Sequence, residues 1–158
     1  MSGVPIIELR RIEAGVIKPI YEEMVTDLGE ERAQAILDRA IRKNAIAQAE
    51  GMASENPPAG IDDFAKLLER WTAEDALRID VQRHDTERFE FDVKRCRYAE
   101  MYTEMGLGHI GHLLSCNRDG AFCEGYDRRL KLERTQTIMS GAEHCDFRYR
   151  YEHDDGSD

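Results

Sequence analysis

The sequence predicts an α+β fold, helical in its N-terminal half, with that half packed on a mostly antiparallel sheet of about four strands in the C-terminal half. Three observations carry this expectation. From Leu9 to Trp71 apolar residues recur every three or four positions. The pattern then switches to alternation in Leu77-Ile79-Val81, Phe89-Phe91-Val93 and Cys145-Phe147-Tyr149-Tyr151. No strand–helix–strand repetition and no glycine-rich phosphate loop accompany them, which argues against the nucleotide-binding α/β folds.

Each element has a local reason. Leu9 to about Asp27 reads as helix, with Pro19 either kinking it or opening a second helix at its first turn, and Leu28-Gly29 breaks it. From Glu30 to Glu50, Ala33, Ile36, Leu37, Ala40 and Ile41 form an apolar stripe, and Glu30, Glu31, Arg32, Asp38, Arg39 and Arg42 mostly take the other side. Gly51 is expected to end this helix, and Pro57-Pro58 to hold a loop after it. Asp62 or Asp63 then caps a third helix with Phe64, Leu67, Leu68 and Trp71 as its stripe. His84-Asp85-Thr86 turns between two alternating runs and predicts a β-hairpin. Cys96 to Met105 returns to helical spacing and stops at Gly106-Leu107-Gly108, after which His109 to Cys116 predicts a short helix. Leu130–Ile138 and Cys145–Tyr151 are the closing strands, with the turn at Ser140-Gly141-Ala142. One domain is expected over 1–152, and the polar tail 153–158 is expected to be disordered.

At 158 residues the chain suits a single hydrophobic core. Its 41% hydrophobic and 34% charged residues are ordinary for a globular protein. A net charge of −10, with no clustered basic stretch, argues against a nucleic-acid partner and against anionic lipid. No run of about eighteen apolar residues could span a bilayer, and no basic-then-apolar leader opens the sequence. A cytoplasmic protein is expected, with its four cysteines as free thiols or ligands.

Chemistry concentrates between Cys96 and Arg150. Cys116-Asn117-Arg118-Asp119 and Cys145-Asp146-Phe147-Arg148 each set a thiol beside a cation and a carboxylate. Positive charge lowers a thiol pKa and makes a nucleophile, and a carboxylate activates water. The alternative is that both cysteines are small buried residues with surface ion pairs around them. His109, His112 and Cys116 would share a face of one helix and are the weak candidates for a metal; otherwise no cofactor is expected. Arg134 and Arg148 have the guanidinium fork that suits a carboxylate, or else a cross-strand salt bridge. Asp127 is a further candidate for contacting substrate.

The string Arg95-Cys96-Arg97-Tyr98-Ala99-Glu100, then Gly106 and Cys116-x-x-Asp119, followed by Leu132-Glu133-Arg134-Thr135-Gln136-Thr137-Ile138, Gly141 and Cys145-Asp146-Phe147-Arg148, resembles the closing signature of the L-2-amino-thiazoline-4-carboxylic acid hydrolase family. The resemblance extends to Leu28-Gly29-Glu30-Glu31-Arg32-Ala33. It implies hydrolytic opening of a cyclic amidine or amide such as a 2-aminothiazoline carboxylate, giving an N-carbamoyl product. The expected partner is therefore a small carboxylated heterocycle. In that reaction Asp119 or Asp146 would activate water, with His112 as the alternative proton carrier. Cys116 or Cys145 would be the nucleophile of a covalent route, and Arg134 or Arg148 would hold the carboxylate. Substrate choice is expected to lie in Gly120–Asp127. More distantly, the helical start and cysteine-marked α+β half resemble the vinyl-4-reductase domain, which implies a non-catalytic small-molecule sensor as the alternative function. A homodimer is expected; a pure dimerisation module would use an apolar helical face such as Ile36, Leu37 and Ile41.

Overall fold

A computed structural model describes residues 3–153; the expected tail lies outside the described residues from position 154 on. The chain runs through α1 (Ile6–Leu28), α2 (Glu30–Glu55), α3 (Ile61–Thr72), β1 (Leu77–His84), β2 (Arg88–Cys96), α4 (Arg97–Glu104), α5 (Asn117–Tyr126), β3 (Leu130–Glu133) and β4 (Cys145–Tyr151). Helices fill the first half, and a four-stranded antiparallel sheet of order β1-β2-β4-β3 lies in the second, so the α+β expectation holds.

α1 is one helix and does not restart at Pro19. Pro19 and Gly15 both face solvent, so the Gly15 carbonyl that loses its N–H partner is open to water. α2 likewise passes Gly51, against expectation, and stops at Asn56, before the prolines. Its buried residues Ala33, Leu37, Ile41, Ala45 and Ala49 repeat every four positions, and this packed stripe outweighs the roughly 1 kcal/mol that one glycine costs a helix. The break at Gly29 does occur, with φ 87° at that glycine. Neither Asp62 nor Asp63 caps α3 as expected. Asp63 accepts the Ala59 N–H at 2.7 Å, and Asp62 pairs with His84 Nε2 at 2.8 Å.

The hairpin and β4 fall where alternation puts them, but β3 is four residues rather than nine. Past Glu133 the N–H groups of Thr135 and Gln136 donate to the Asp146 carboxylate, each at 2.9 Å, and so are lost to any ladder. The chain leaves the sheet for a 3₁₀ turn at Ile138–Ser140, closed by Gly141 at φ 105°. The predicted helix 109–116 is also not a regular one: Gly108–Ile110 forms a 3₁₀ turn and His112–Cys116 a π turn that runs into α5.

The inner sheet face buries Phe89, Phe91, Val93, Cys145, Phe147, Tyr149 and Tyr151, with the Phe91 and Phe147 rings stacked at 4.9 Å. Two apolar clusters, one around α1 and α4 and one on this face, meet at Trp71, Leu77 and Cys96. Leu37 and Ile41 of the expected dimerisation face are spent in the core. The large apolar side chains left exposed lie mainly on α1, at Ile12, Val16 and Ile20.

On the outer face Asp92 is buried yet ionised. Burial alone would raise its pKa, but Arg148 at 3.0 Å and Gln82 at 2.7 Å hold it below the ordinary 3.8. Asp92→Ala would leave Arg148 without its carboxylate. The expected cost is roughly 2–3 kcal/mol, less than for a fully enclosed pair because Arg148 keeps some solvent contact. Urea unfolding of the variant beside wild type measures it.

Candidate functional site

Between the inner sheet face and helices α2, α3 and α5 lies a cavity of about 80 Å³, counted as space open to the centres of water-sized molecules. One water needs only about 10–15 Å³ on that measure, so the space holds more than a trapped solvent molecule. Much of the wall is carbon. Phe64, Leu68 and Trp71 come from α3, Phe122 from α5, and Phe91, Val93, Phe147 and Tyr149 from the sheet. The polar groups gather on Arg10, Cys96, Ser115, Cys116, Arg118, Asp119, Arg134 and Cys145, with Gln48 and Tyr98 nearby in the wall.

The fixed centre of the polar groups is Arg134. Its Nη1 donates to Asp119 Oδ2 at 2.7 Å and its Nη2 to the Cys116 carbonyl at 3.1 Å, while its guanidinium lies over the Phe147 ring at 5.0 Å. One side chain thereby ties the loop after β3 to the start of α5 and to β4. Asp119 sits deep in the molecule, yet 30% of its side-chain surface remains accessible, and the cavity it lines explains that surface. Burial raises its pKa; Arg134, Arg10 and Arg118 oppose the rise without cancelling it. A carboxyl so placed exchanges protons more readily near neutrality than an exposed aspartate.

The thiols follow the second of the two sequence readings, burial rather than activation. Burial pushes the Cys116 thiol up, and Asp119 adds to the shift more than Arg134 relieves it. Cys145 is also raised by burial despite the Ile138 N–H on its sulfur at 3.2 Å. Cys96, which accepts the Ala99 N–H at the start of α4, is pushed up to about 11. Proximity to arginine does not make a thiolate here, because desolvation is the larger effect.

Of the residues expected in the site, the fold brings Cys116, Asp119, Arg134 and Cys145 together around the cavity. The others lie elsewhere. Asp146 faces away from Cys145, holding the N–H groups of Thr135 and Gln136 and the Thr135 hydroxyl, and these hydrogen bonds outweigh burial to keep its pKa low. Arg148 is on the outer sheet face with Asp92. Asp127 binds Arg129 at 2.9 Å and the Tyr151 hydroxyl at 2.9 Å. His112 does not line the cavity. His109 rests 6.1 Å from the Tyr21 ring, so the shared helical face proposed for His109, His112 and Cys116 does not form. Among the described residues no group of three or more His, Cys, Asp or Glu is placed to hold a metal.

One wall residue, Arg10, escapes the sequence reading, and another, Arg118, enters it only as the cation beside Cys116. Arg10 stands on the buried stripe of α1 with Ile6, Ile7, Ala14 and Tyr21, and Arg118 on that of α5 with Ala121, Phe122 and Tyr126. A charge at a position where helical periodicity asks for an apolar residue is the signal that marks both. Arg118 donates to the Leu114 carbonyl at 3.0 Å and to Asn44 Oδ1 at 3.1 Å; burial, aided by Arg10, lowers its pKa to about 10.

The model of the L-2-amino-thiazoline-4-carboxylic acid hydrolase family matches residues 9–149, which takes in the cavity wall from Arg10 to Tyr149. The chain belongs to that family. No match is found among curated protein sequences. Among solved structures, this hydrolase-family chain is similar to a trafficking protein particle complex subunit 3 from Naegleria fowleri covalently bound to palmitic acid. The identity is 12%, with 91% of this chain and 99% of that one covered and a TM-score of 0.50. A phenol-responsive sensory domain of the transcription activator PoxR, solved with phenol, aligns at 16% identity over 86% of this chain and 73% of that one, with a TM-score of 0.48. At such identities the likeness concerns the fold alone. No helix among the described residues of the hydrolase-family chain is long and apolar enough to cross a membrane.

Proposed function

We propose that the cavity is a hydrolytic site that opens a small cyclic amidine or amide bearing a carboxylate. The observation that carries this reading is Asp119: a half-buried carboxyl of raised pKa, clamped by Arg134, facing a cavity in a chain of this family. As carboxylate it takes a proton from water, whose oxygen bonds to the C=N or C=O carbon of the ring. In a lactam or hydantoin the proton then goes to the departing nitrogen; in a thiazoline it goes to the ring nitrogen, and the proton of the new hydroxyl passes by way of Asp119 to the departing sulfur. The tetrahedral carbon collapses to a carbonyl as the ring bond to that heteroatom breaks. For a 2-aminothiazoline giving an N-carbamoyl product the departing atom is sulfur; for a lactam or hydantoin it is nitrogen. Arg134 keeps Asp119 from becoming so basic that it stays protonated.

The raised thiol pKa values favour activated water over a covalent thiolate. Cys116→Ser and Cys145→Ser are expected to keep turnover within about tenfold of wild type. A loss on the scale of a missing nucleophile in either variant would replace this mechanism with the covalent one. The test of function itself is incubation with carboxylated thiazolines, hydantoins and lactams, followed by mass spectrometry for the gain of one water. If no member of the panel is opened, ring hydrolysis is wrong. The second reading, a non-catalytic sensor pocket, draws its support from the extent of aromatic wall, which exceeds what a polar five-membered ring needs.

A further inference from the structure

Three guanidinium groups line the cavity, and they are not equally committed. Arg134 is engaged by Asp119 and the Cys116 carbonyl. Arg118 is engaged by Leu114, Asn44 and, at 3.7 Å, Glu13. Arg10 differs. Its side chain is only 4% exposed, and its Nη1 alone has a partner among the described residues, donating to the two Glu13 oxygens at 3.0 and 3.2 Å. Among the described residues its Nε and Nη2 have no protein acceptor, and neither is sealed away from accessible space. Two buried cations thus share one half-exposed carboxylate, and the donors left over belong to a residue of the cavity wall. Donors that keep accessible surface on so little exposed a guanidinium are open to an anion, and a charge-assisted hydrogen bond there is stronger than one at the protein surface.

We propose that Arg10 anchors the anionic head of the ligand, and that the ligand is amphipathic, with a body larger and more apolar than an aminothiazoline ring. The aromatic wall of Phe64, Trp71, Phe91, Phe122 and Phe147 receives that body, and Arg10 sets which end enters. This rests on the cavity being the ligand site, and it deepens the hydrolase reading by naming the substrate class: a carboxylated ring with an aromatic or alkyl extension. The remote apolar contact supplies affinity, while the head fixes orientation beside Asp119.

Trp71 is the protein's one tryptophan and lines the cavity, so its fluorescence reports binding without turnover. The probes are butyrate, hexanoate, octanoate, 4-phenylbutyrate and octanamide, titrated into the full chain. Affinity is expected to rise about fourfold per added methylene until the wall is filled. Octanoate is expected to bind at least tenfold tighter than the isosteric octanamide. Arg10→Met is expected to abolish the octanoate-over-octanamide preference while octanamide still binds; Arg10→Lys keeps a reduced preference, which separates lost charge from lost packing. Should both variants fail to fold, the wild-type comparison of acid with amide still decides. Equal binding of the two, affinity that does not grow with the apolar body, or an intact preference in Arg10→Met would overturn the proposal. If these binding results hold and no ring in the hydrolysis panel opens, the ligand class stands and the hydrolase reading fails. If small carboxylated rings are opened but apolar extension brings no tightening, the reverse is true.

Discussion

Replacing Asp119 with asparagine should reduce kcat by about two to four orders of magnitude on any ring the protein opens, with the fold intact. Asparagine is nearly isosteric and keeps an oxygen for the Arg134 Nη1 at the same place, so the clamp across α5, β4 and the loop after β3 survives. What it removes is the capacity to take up a proton. The pH dependence provides a second reading of the same group. Burial holds the Asp119 pKa above 3.8. The base is therefore idle below that raised value, and kcat/KM of wild type should climb through it as pH increases. The limb should vanish in the residual activity of Asp119→Asn. A variant that retains wild-type rates and the same acidic limb would remove Asp119 from the mechanism. Stability moves the other way. A carboxyl whose folded pKa is raised favours the fold least once it is ionised, so Asp119→Asn should lose less stability at pH 8 than at pH 4, measured by urea unfolding at both.

The largest structural effect is expected at a glycine. Gly125 of α5 lies so close to α2 that a Cβ would collide with the Ile46 carbonyl oxygen and press on Ala49. Backbone cannot yield as a side-chain tip does. Gly125→Ala should therefore cost about 3 kcal/mol, and Gly125→Val should leave little folded protein. Because α2 and α5 both wall the cavity, any folded Gly125→Ala should also bind ligand more weakly. Thermal unfolding followed at Trp71 measures the first effect. Unchanged melting would mean that the two helices separate at no cost.

What could be read beforehand depended on whether an element's reason was local. β4 is legible to the residue because strict alternation from Cys145 to Tyr151 needs only a sheet with one buried face. β3 is over-extended by the same logic: nothing in Arg134–Ile138 announces that Asp146 will take its N–H groups. Gly51 looks like a stop, yet the packed stripe from Ala33 to Ala49 carries α2 past it. In the candidate site, Cys116, Asp119, Arg134 and Cys145, crowded in the last third of the sequence, come to line one cavity. Alternation also contained a warning, since Asp146 and Arg148 cannot share the face that bears Cys145. Arg10 was hidden for another reason. It is far in sequence from Cys116, Asp119, Arg134 and Cys145, and only its seat on an apolar stripe sets it apart from its neighbour Arg11.

Sheet order carries a further consequence, for the time at which the cavity comes into being. β4 is last of the strands in sequence but lies between β2 and β3, so Phe91 waits for Phe147 and Leu132 for Tyr149 before either edge is covered. A chain emerging from the ribosome can fold α1 to α3 and the β1–β2 hairpin from local contacts, whereas the central pairing requires a long loop to close. Until β4 is in place, one edge of β2 is unpaired and β3 has no neighbour. The pocket cannot be complete before β4 docks, and a chain lacking the β4 residues should be recognised by chaperones as a sticky half-sheet rather than persist as a weaker version of the whole.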